Sequence, residues 1–157
     1  MFYSYMDSPV GKLFLAGDQE GLRFINFPKE KNPVVPDSDW VEMPAFFTSA
    51  VAELEEYFAG SRRHFSVDIQ PQGTDFQLSV WHALQKVPYG KTVSYGELAK
   101  RVGNPNASRA VGAANGANPI PIIIPCHRVI GAGGNLTGFG GGLAVKQFLL
   151  ELEGAIA

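Results

Sequence analysis

Residues 118–130 restrict the fold of this chain more than any other stretch of the sequence. Most of them are apolar, and prolines stand at positions 119, 121 and 125. Proline lacks a backbone N–H and fixes φ, so a helix cannot form here and a central β-strand is disfavoured. We therefore expect a buried, stiff, irregular segment. It ends in Pro125-Cys126-His127-Arg128, which contains the single cysteine of the 157 residues.

Cys126 has two possible roles. A lone buried cysteine is most often an inert small hydrophobe. A reactive one must lose its proton, and burial opposes this unless a base or a cation compensates. His127 follows directly, but neighbouring side chains of an extended segment point apart, so His127 would act through a water molecule. One cysteine and three histidines exclude an internal disulfide and a cysteine-rich zinc site, and we expect no metal and no cofactor.

Charge and glycine content divide the chain into two halves. Residues 1–75 carry six basic and twelve acidic side chains, whereas residues 76–157 carry seven and three. Thirteen of the 18 glycines lie at or after Gly90. We predict an N-terminal domain of residues 1–73 and a C-terminal domain of residues 74–157, the second with a basic balance that favours a polyanionic partner.

The first of these domains is predicted to be a small α/β unit, an antiparallel sheet with one helix. Aromatic and branched residues in turn-separated runs predict strands at 2–6, 12–17 and 22–27. The proline-containing stretch 29–39 should be a loop. Helical spacing of apolar residues predicts a helix over 44–58, and residues 65–69 could add a strand. No residue here has the pattern of a catalytic group, and His64 is expected on the surface.

The second domain is predicted to be mostly helical. Thr74 with Gln77, and Ser94 with Glu97, have the spacing of capping boxes that start helices. Asn106 is placed to cap a third helix over 107–117. Two short helices joined by a tight turn predict a helix-turn-helix.

The third helix has an unusual composition, because seven of its eleven residues are alanine or glycine. One explanation is close packing on a neighbouring element. The other is close approach to a narrow surface such as a DNA minor groove, with Arg109 inserted as a single cation. Besides Arg109, Asn115 is the chief polar side chain that this helix could offer to a base edge.

These segments resemble the O6-alkylguanine-DNA alkyltransferases, also called methylated-DNA-protein-cysteine methyltransferases. The resemblance covers residues 76–154 and includes Pro-Cys-His-Arg-Val at 125–129, Val-Ser-Tyr at 93–95 and Ser-Arg-Ala-Val-Gly at 108–112. It implies a ribonuclease-H-like N-terminal domain and a winged helix-turn-helix C-terminal domain. It also implies direct, irreversible and stoichiometric transfer of an alkyl group from O6-alkylguanine, and from O4-alkylthymine, to the protein.

The resemblance also assigns roles to particular residues. Cys126 would accept the alkyl group, and His127 would hold a water that takes the thiol proton. Glu153 would orient His127, although helical periodicity barely separates it from Glu151. Asn118 would order the turn, and Tyr95 would donate to the departing guanine. Arg109 would fill the space of the flipped nucleotide; the implied DNA-contacting residues are Ser94, Ala107, Ser108 and Arg109, and the implied pocket residues are Pro121, Val129, Phe139 and Gly140.

The glycine-rich loop and the partners complete the expectation. Seven of the residues 131–142 are glycine, which indicates either tolerance of larger alkyl groups or simply a loose surface loop. The expected partner is double-stranded DNA containing O6-alkylguanine, with no membrane association. We expect a monomer in the cytoplasm, or in the nucleus of a eukaryote.

Two other functions remain open from the sequence. A non-catalytic, alkyltransferase-like lesion-binding module would share the helix-turn-helix and the arginine but lack the cysteine. A thiol hydrolase unrelated to DNA would use the Cys-His pair but leave the small-residue helix unexplained.

Overall fold

The computed structural model describes all residues from 1 to 157. In the N-terminal half (residues 1–73), a four-stranded sheet has the order β3-β2-β1-β4. Its strands are β1 (Phe2–Met6), β2 (Leu13–Asp18), β3 (Gly21–Asn26) and β4 (Val41–Glu42). The first three strands pair antiparallel as predicted, whereas β4 pairs parallel with β1 and makes the sheet mixed. Strand β4 is exposed and only two residues long, so its sequence has no periodicity that could have revealed it.

The predicted strand over 65–69 is wrong. That segment meets the edge strand β3 only at Leu22, through one isolated bridge to Ile69. The Leu22 N–H donates to the Asp68 oxygen at 2.9 Å, and the Gln70 N–H donates to the Leu22 oxygen at 2.8 Å. No ladder extends from this point, so the segment remains irregular. His64 is exposed, as predicted.

Helix α1 (Thr48–Phe58) follows a 3₁₀ turn at Pro44–Phe47. The chain leaves the helix through Gly60, whose φ of 79° lies in the left-handed region that favours glycine. The helix buries Ala50, Leu54 and Tyr57 against the sheet side of the core. Tyr57 is completely buried although it carries a hydroxyl group.

In the C-terminal half (residues 74–157), helix α2 (Asp75–Gln85) begins with the predicted capping box. The Gln77 N–H donates to the Thr74 hydroxyl at 3.1 Å, and the Thr74 N–H donates to the Gln77 side chain at 2.9 Å. This reciprocal pair satisfies two backbone N–H groups at the start of the helix. The predicted start of α2 is therefore confirmed.

The helix-turn-helix consists of α3 (Tyr95–Arg101) and α4 (Ser108–Gly116). Ser94 caps α3 by accepting from the Glu97 N–H at 3.1 Å, which is one of the two bonds of a capping box. The predicted cap at Asn106 is wrong, because the N-cap position is Ala107 and has no side-chain cap. The Ala107 N–H donates to the Asn104 oxygen, so Asn106 lies inside the preceding turn.

The buried and irregular segment predicted over 118–130 is present over 118–128, whereas its last two residues form a short strand. Ile120, Ile122 and Ile124 are almost wholly shielded from solvent. Ile122 has a φ of 75°, the one positive value outside glycine. After a 3₁₀ turn at Cys126–Arg128, strand β6 (Val129–Ile130) pairs parallel with β5 (Val93–Ser94).

Helix α5 (Leu143–Leu152) is the last element, and the periodicity of its apolar residues predicts a buried stripe at Val145, Phe148, Leu149 and Leu152. Val145, Phe148 and Leu152 are only partly buried, whereas Lys146, Leu149 and Leu150 are buried. The charged side chain of Lys146 therefore lies inside the protein.

One hydrophobic core joins the two halves. It runs from Leu13 and Leu15 in the sheet to Ile124 and Leu149 in the C-terminal half. The Ile25 N–H also donates across the junction to the Pro119 oxygen at 2.9 Å. The N-terminal half is thus attached to the segment that leads into Cys126.

None of the helices has both the length and the apolar character needed to cross a membrane.

Candidate active site

The 3₁₀ turn at Cys126–Arg128 places three consecutive functional side chains inside the protein. The Cys126 N–H donates to the Ile124 oxygen at 2.8 Å, and the Arg128 N–H donates to the Pro125 oxygen at 3.0 Å. Cys126, His127 and Arg128 are all buried. The turn replaces the extended conformation that the sequence predicted at this point. It holds the thiol, the imidazole and the guanidinium on a short, hydrogen-bonded scaffold.

Glu153, at the C-terminal end of α5, accepts four hydrogen bonds. His127 Nε2 lies 2.7 Å from Oε2, and the Tyr57 hydroxyl donates to the same oxygen at 2.6 Å. Arg128 donates through Nε to Oε1 at 2.8 Å and through Nη2 to Oε2 at 3.0 Å. Burial alone would raise the pKa of Glu153, but hydrogen bonds and charges from His127 and Arg128 lower it to about 2. Glu153 is therefore an ionised carboxylate.

The choice between Glu153 and Glu151, which periodicity left open, has a clear outcome. Glu151 is exposed and accepts a hydrogen bond from Gln147 at 2.9 Å. Glu153 is the carboxylate that lies beside His127. The helix end positions it there because residues 146, 149, 150 and 153 share the inward face of α5.

His127 is held as a neutral base. Burial lowers the pKa of its imidazole, and Glu153 opposes this shift only in part. A carboxylate can only accept, so the proton of the neutral ring lies on Nε2, toward Glu153. Nδ1 then carries the lone pair; it is buried and has no hydrogen-bond partner in the protein. The ring can accept a proton at Nδ1.

Burial raises the pKa of the Cys126 thiol to about 11, against a smaller lowering by Asn118 and Lys146. Asn118 donates to the Ile124 oxygen at 2.7 Å and accepts from the Ile120 N–H at 3.0 Å, so it also fixes the chain before the turn. A thiol in this state needs a base before it can act as a nucleophile.

Lys146 is a buried cation that the sequence analysis missed. Its Nζ donates to the Val129 oxygen at 2.6 Å and to the Thr137 oxygen at 2.9 Å. Burial lowers the pKa of its ammonium group. A lysine on the inward face of an otherwise apolar helix stripe was the available signal, because such a charge needs specific partners.

A cavity of about 30 Å³ opens beside Cys126. Of the predicted pocket residues, Pro121, Phe139 and Gly140 line it, together with Phe27, Glu30, Asn115, Gly116, Asn118, Gly138 and Gly141. Val129 does not line this cavity; its side chain is in the core, because strand β6 turns it there. The N-terminal residues Phe27 and Glu30 had no local sequence signal, since they approach from the other half of the fold.

Two predicted polar side chains are placed differently from expectation. Tyr95 does not line the cavity, whereas Asn115 lines it but does not face a DNA groove. The Tyr95 hydroxyl lies 2.8 Å from the Thr137 hydroxyl, in the glycine-rich loop. Asn115 is buried and its amide lies 3.4 Å from the Cys126 oxygen, so it cannot reach a base edge in a DNA groove. The helix-turn-helix therefore presents Arg109 as the long polar side chain of α4, and Arg109 is exposed.

The small residues of α4 occupy two different faces. Val111 and Ala114 are buried, and the Trp81 indole N–H donates to the Ala114 oxygen at 2.8 Å. Ala110, Ala113 and Ala117 are exposed. Close packing inside the protein explains only the first group. The exposed face is smooth and flanks Arg109, while Ala107 and Ser108 are half-buried at the helix start.

No group of three or more histidine, cysteine, aspartate or glutamate side chains is arranged to hold a metal ion. The site brings together a buried thiol, an imidazole and a carboxylate. A nucleophile, a base with a free lone pair and a carboxylate that orients the base form the arrangement used for activated thiols.

Two family models match the chain. One is described as the DNA-binding domain of 6-O-methylguanine DNA methyltransferase and matches residues 75–155. The other is described as the ribonuclease-like domain of the same protein and matches residues 1–71.

Similar proteins agree with these matches. A methylated-DNA--protein-cysteine methyltransferase of Methanosarcina acetivorans is 58% identical over 156 residues, covering 99% of both chains. One of Mycobacterium tuberculosis is 51% identical over 152 residues, covering 96% of this chain and 91% of the relative. The crystal structure of M. tuberculosis OGT in complex with DNA superimposes with a TM-score of 0.92 at 49% identity, covering 99% of this chain and 94% of the other.

Proposed function

The chain belongs to the 6-O-methylguanine DNA methyltransferase family, and from that premise we propose that it repairs DNA by moving the alkyl group of O6-alkylguanine onto its own Cys126. The observation that carries this assignment is the buried unit of Cys126, His127 and Glu153, with a neutral imidazole whose Nδ1 is free to accept a proton. O4-alkylthymine, which presents the same kind of alkyl–oxygen bond, is a second substrate of the same chemistry.

The reaction is an in-line displacement at the alkyl carbon. The Cys126 sulfur forms a bond to that carbon while the bond from the carbon to O6 of guanine breaks, and O6 keeps the electron pair. The thiol proton passes through a water molecule to Nδ1 of His127. Glu153 stabilises the imidazolium that forms, because its carboxylate already accepts the Nε2 proton. Tyr95 donates a hydrogen bond to the guanine as negative charge develops on it.

The product is a thioether, which is a poor leaving group. Cys126 is the single cysteine of the chain, so no second thiol can remove the alkyl group by exchange. Each protein molecule therefore acts once. Asn118 supports this step by fixing the chain on both sides of the bend that leads to the thiol.

DNA binds through the helix-turn-helix, with α4 in the minor groove. The exposed alanine face lets the backbone approach closely, and Ser94, Ala107 and Ser108 contact the DNA at the helix starts. A guanine inside a duplex cannot present its O6 substituent to a buried thiol, so the nucleotide is flipped out of the stack. Arg109 occupies the vacated space, where a planar guanidinium can both stack and donate.

The lesion pocket is the cavity beside Cys126, enlarged when the loop over 131–142 moves. Phe139 and Gly140 belong to this loop, and Pro121 lies on the opposite wall. A cavity of about 30 Å³ is smaller than a purine, so the base can enter only if the loop shifts. The loop contains seven glycines, which adopt many backbone conformations, so such a shift needs little free energy. The same freedom favours acceptance of alkyl groups larger than methyl.

The division into domains of residues 1–73 and 74–157 is also part of the proposal. The capping box of Thr74 starts the C-terminal unit, and each family model falls on one side of this boundary. We place the protein in the cytoplasm, where a free thiol stays reduced and chromosomal DNA is accessible in the bacterial and archaeal relatives.

Weighing the intact protein after incubation with DNA tests the assignment. A duplex with one O6-methylguanine should add the mass of one CH₂ group, located on Cys126, and an unmodified duplex should add nothing. Cys126→Ser should bind the same duplex without a mass change, because phosphate contacts lie elsewhere.

The other two functions predict different results. A lesion-binding module would bind without gaining mass, although the presence of Cys126 already disfavours it. A thiol hydrolase would show neither specific binding nor a mass gain. Methyl transfer well beyond one equivalent would contradict single use.

A further inference from the structure

We propose that Tyr57, in the N-terminal half, is a positioning residue for alkyl transfer, because its hydroxyl fixes the carboxylate that holds His127. This inference rests on the proposed function, since it concerns the activation of Cys126. It gives the N-terminal half a part in the chemistry as well as in the fold.

The carboxylate oxygen Oε2 of Glu153 is shared between the two halves. It accepts from the Tyr57 hydroxyl at 2.6 Å and lies 2.7 Å from Nε2 of His127. Both side chains are fully buried, so water does not compete for this oxygen. Charge-assisted hydrogen bonds of this length are the strong ones. Tyr57 therefore helps to determine where the oxygen that faces His127 lies.

The core does not need a hydroxyl at position 57. The Tyr57 ring contacts the rings of Phe58, Phe65 and Tyr89, with centroid distances of 5.4, 5.6 and 6.3 Å. Phenylalanine would make the same ring contacts without burying a polar group. Burying a hydroxyl is unfavourable unless it is bonded, and here its partner is Glu153. The hydroxyl, which is the one feature that distinguishes tyrosine from phenylalanine, thus bonds the carboxylate that holds His127. We call Cys126, His127 and Glu153 the relay.

Arg128 holds the other side of the same carboxylate. It donates to Oε1 and Oε2, and its Nη1 donates to the Val87 oxygen at 2.7 Å. Tyr57 and Arg128 together restrict rotation and sliding of the Glu153 carboxylate. Without the tyrosine hydroxyl, Arg128 alone fixes the carboxylate, so the orientation of the His127 ring that is bonded to it is less well defined.

The hydroxyl also sets how strongly Glu153 attracts a proton on His127. The groups that face this pair are Tyr57 from α1, Arg128 from the turn and Lys146 from α5, with Tyr89 beside the Tyr57 ring. Tyr57 withdraws part of the carboxylate charge by donating to it. Removing the hydroxyl stabilises the imidazolium, so the pKa of His127 rises and the base is lost at a higher pH.

Single-turnover alkyl transfer from saturating O6-methylguanine duplex, measured across pH, tests this role with Tyr57→Phe. We expect a slowing on the order of three- to tenfold, and a shift of the acidic limb of the rate profile to higher pH. The amplitude should stay at one methyl per chain. Tyr89→Phe is the matched control, because its hydroxyl lies 3.4 Å from the Leu152 oxygen and does not contact Glu153. It should react within about twofold of the natural chain.

A second variant keeps the test decisive if Tyr57→Phe folds poorly. Fluorotyrosine incorporated at position 57 keeps the hydroxyl and makes it a stronger donor. It should move the acidic limb to lower pH, opposite to Tyr57→Phe. A role in folding alone would lower the amplitude or the thermal midpoint and leave the limb in place.

The outcomes separate this inference from the proposed function. If the natural chain gains no methyl on Cys126, the proposed function fails. If the natural chain gains one methyl and neither variant moves the acidic limb, the role of Tyr57 is overturned while the function stands. In a His127→Ala background the effect of Tyr57→Phe on the rate should disappear, and a persisting effect would equally overturn the role.

Discussion

The two halves of the molecule bury different kinds of side chain. In the N-terminal half, the side chains that bury a polar group are Ser4 and Tyr57, and each of them carries a hydroxyl. In addition to its apolar core, the C-terminal half buries one amide side chain, Asn115, and four ionisable ones, which are His127, Arg128, Lys146 and Glu153. Burying such groups is unfavourable unless each is bonded. The C-terminal half, which contains most of them, is therefore the half whose structure serves the chemistry at the expense of stability.

The difference also shows how the N-terminal half supports the site. It supplies no ionisable group to the relay except through Tyr57, and it supplies the wall of the cavity through Phe27 and Glu30. Phe27 packs on Phe139 with ring centroids 5.5 Å apart, so it also contacts the glycine-rich loop over 131–142. A stable, mostly apolar unit is suited to holding these few groups in place.

The largest expected effect on the comparison between the two halves comes from removing His127 or Glu153. His127→Ala and Glu153→Ala should each slow methyl transfer by about 10²- to 10⁴-fold, because the thiol loses its base or the base loses its orientation. The double variant should be little slower than His127→Ala alone, since the two residues act as a unit. Single-turnover kinetics measure all three. Fully additive losses would show that Glu153 has a separate, structural role.

Leu15→Ala in the sheet provides the contrast. Leu15 is fully buried, and truncating it should lower the free energy of unfolding by about 2–5 kcal/mol. The folded fraction should nevertheless transfer methyl at the natural rate. If Leu15→Ala slowed the chemistry as much as His127→Ala, the two halves would not differ in the way that their buried groups indicate.

How far the sequence predicted these features depends on the distance over which each signal acts. The start of α2 follows from Thr74 and Gln77, which are three residues apart and bond each other. The irregular segment follows from its own prolines. By contrast, Tyr57 and Glu153 are 96 residues apart, and only the packed fold brings them together.

The errors have the same cause. Asn106 has a good capping side chain, but the turn closed by Asn104 and Ala107 takes it out of the cap position. Val129 was assigned to the pocket, but its pairing with Val93 turns it into the core. Local chemistry singles out candidate site residues, whereas tertiary pairing decides which side of the chain each one faces.

The next test uses pH and concerns stability. The pKa of Glu153 in the folded chain is about 2, below its ordinary value of 4.5, so the native state favours the ionised carboxylate. The stabilisation is present above about pH 5 and is lost as the pH falls toward 2, by roughly 3 kcal/mol in the free energy of unfolding. Urea unfolding of the natural chain and Glu153→Gln over this range isolates the contribution, because the variant lacks the titrating group.

Asp18 in the N-terminal half is the matched comparison. Its pKa is also lowered: burial is the largest single effect and opposes the shift, but hydrogen bonds from the Glu20 backbone and from Arg23, which lies 3.1 Å away, together outweigh it. The pair is partly exposed to solvent, so screening reduces its contribution. Asp18→Asn should change the acid dependence of stability much less than Glu153→Gln. Equal changes would mean that burial of the C-terminal network has no special energetic consequence.

A third test separates nucleotide flipping from chemistry in the C-terminal half. Arg109→Ala should slow repair of duplex DNA by roughly tenfold to several hundredfold, since unstacking costs a few kcal/mol and each 1.4 kcal/mol corresponds to tenfold. Reaction with free O6-methylguanine should change little, because a free base needs no extrusion. Arg101→Ala, on the neighbouring helix α3, controls for loss of one exposed cation that pairs with Glu97.

A simple phosphate contact by Arg109 gives a different pattern. The defect would then disappear at saturating duplex, and the salt dependence of binding would fall by about one counterion. Equal slowing on duplex and free base would instead assign Arg109 a role in holding the site together.

The smallest expected effect concerns the electrostatic reach of the N-terminal half. Glu30 lines the cavity beside Cys126, and its charge contributes to raising the pKa of the thiol, after the larger effect of burial. Burial also raises the pKa of Glu30 itself. Glu30→Gln should therefore lower the pKa of Cys126 slightly and speed methyl transfer by no more than about threefold. Glu42→Gln, on the exposed strand β4, removes a charge of the same sign far from the cavity and should have no effect on the rate. Titrating the thiol with an alkylating reagent in both variants measures the pKa directly. A slower reaction in Glu30→Gln would mean that this carboxyl group assists the transfer, and that the N-terminal half contributes more to the chemistry than the orientation of Glu153.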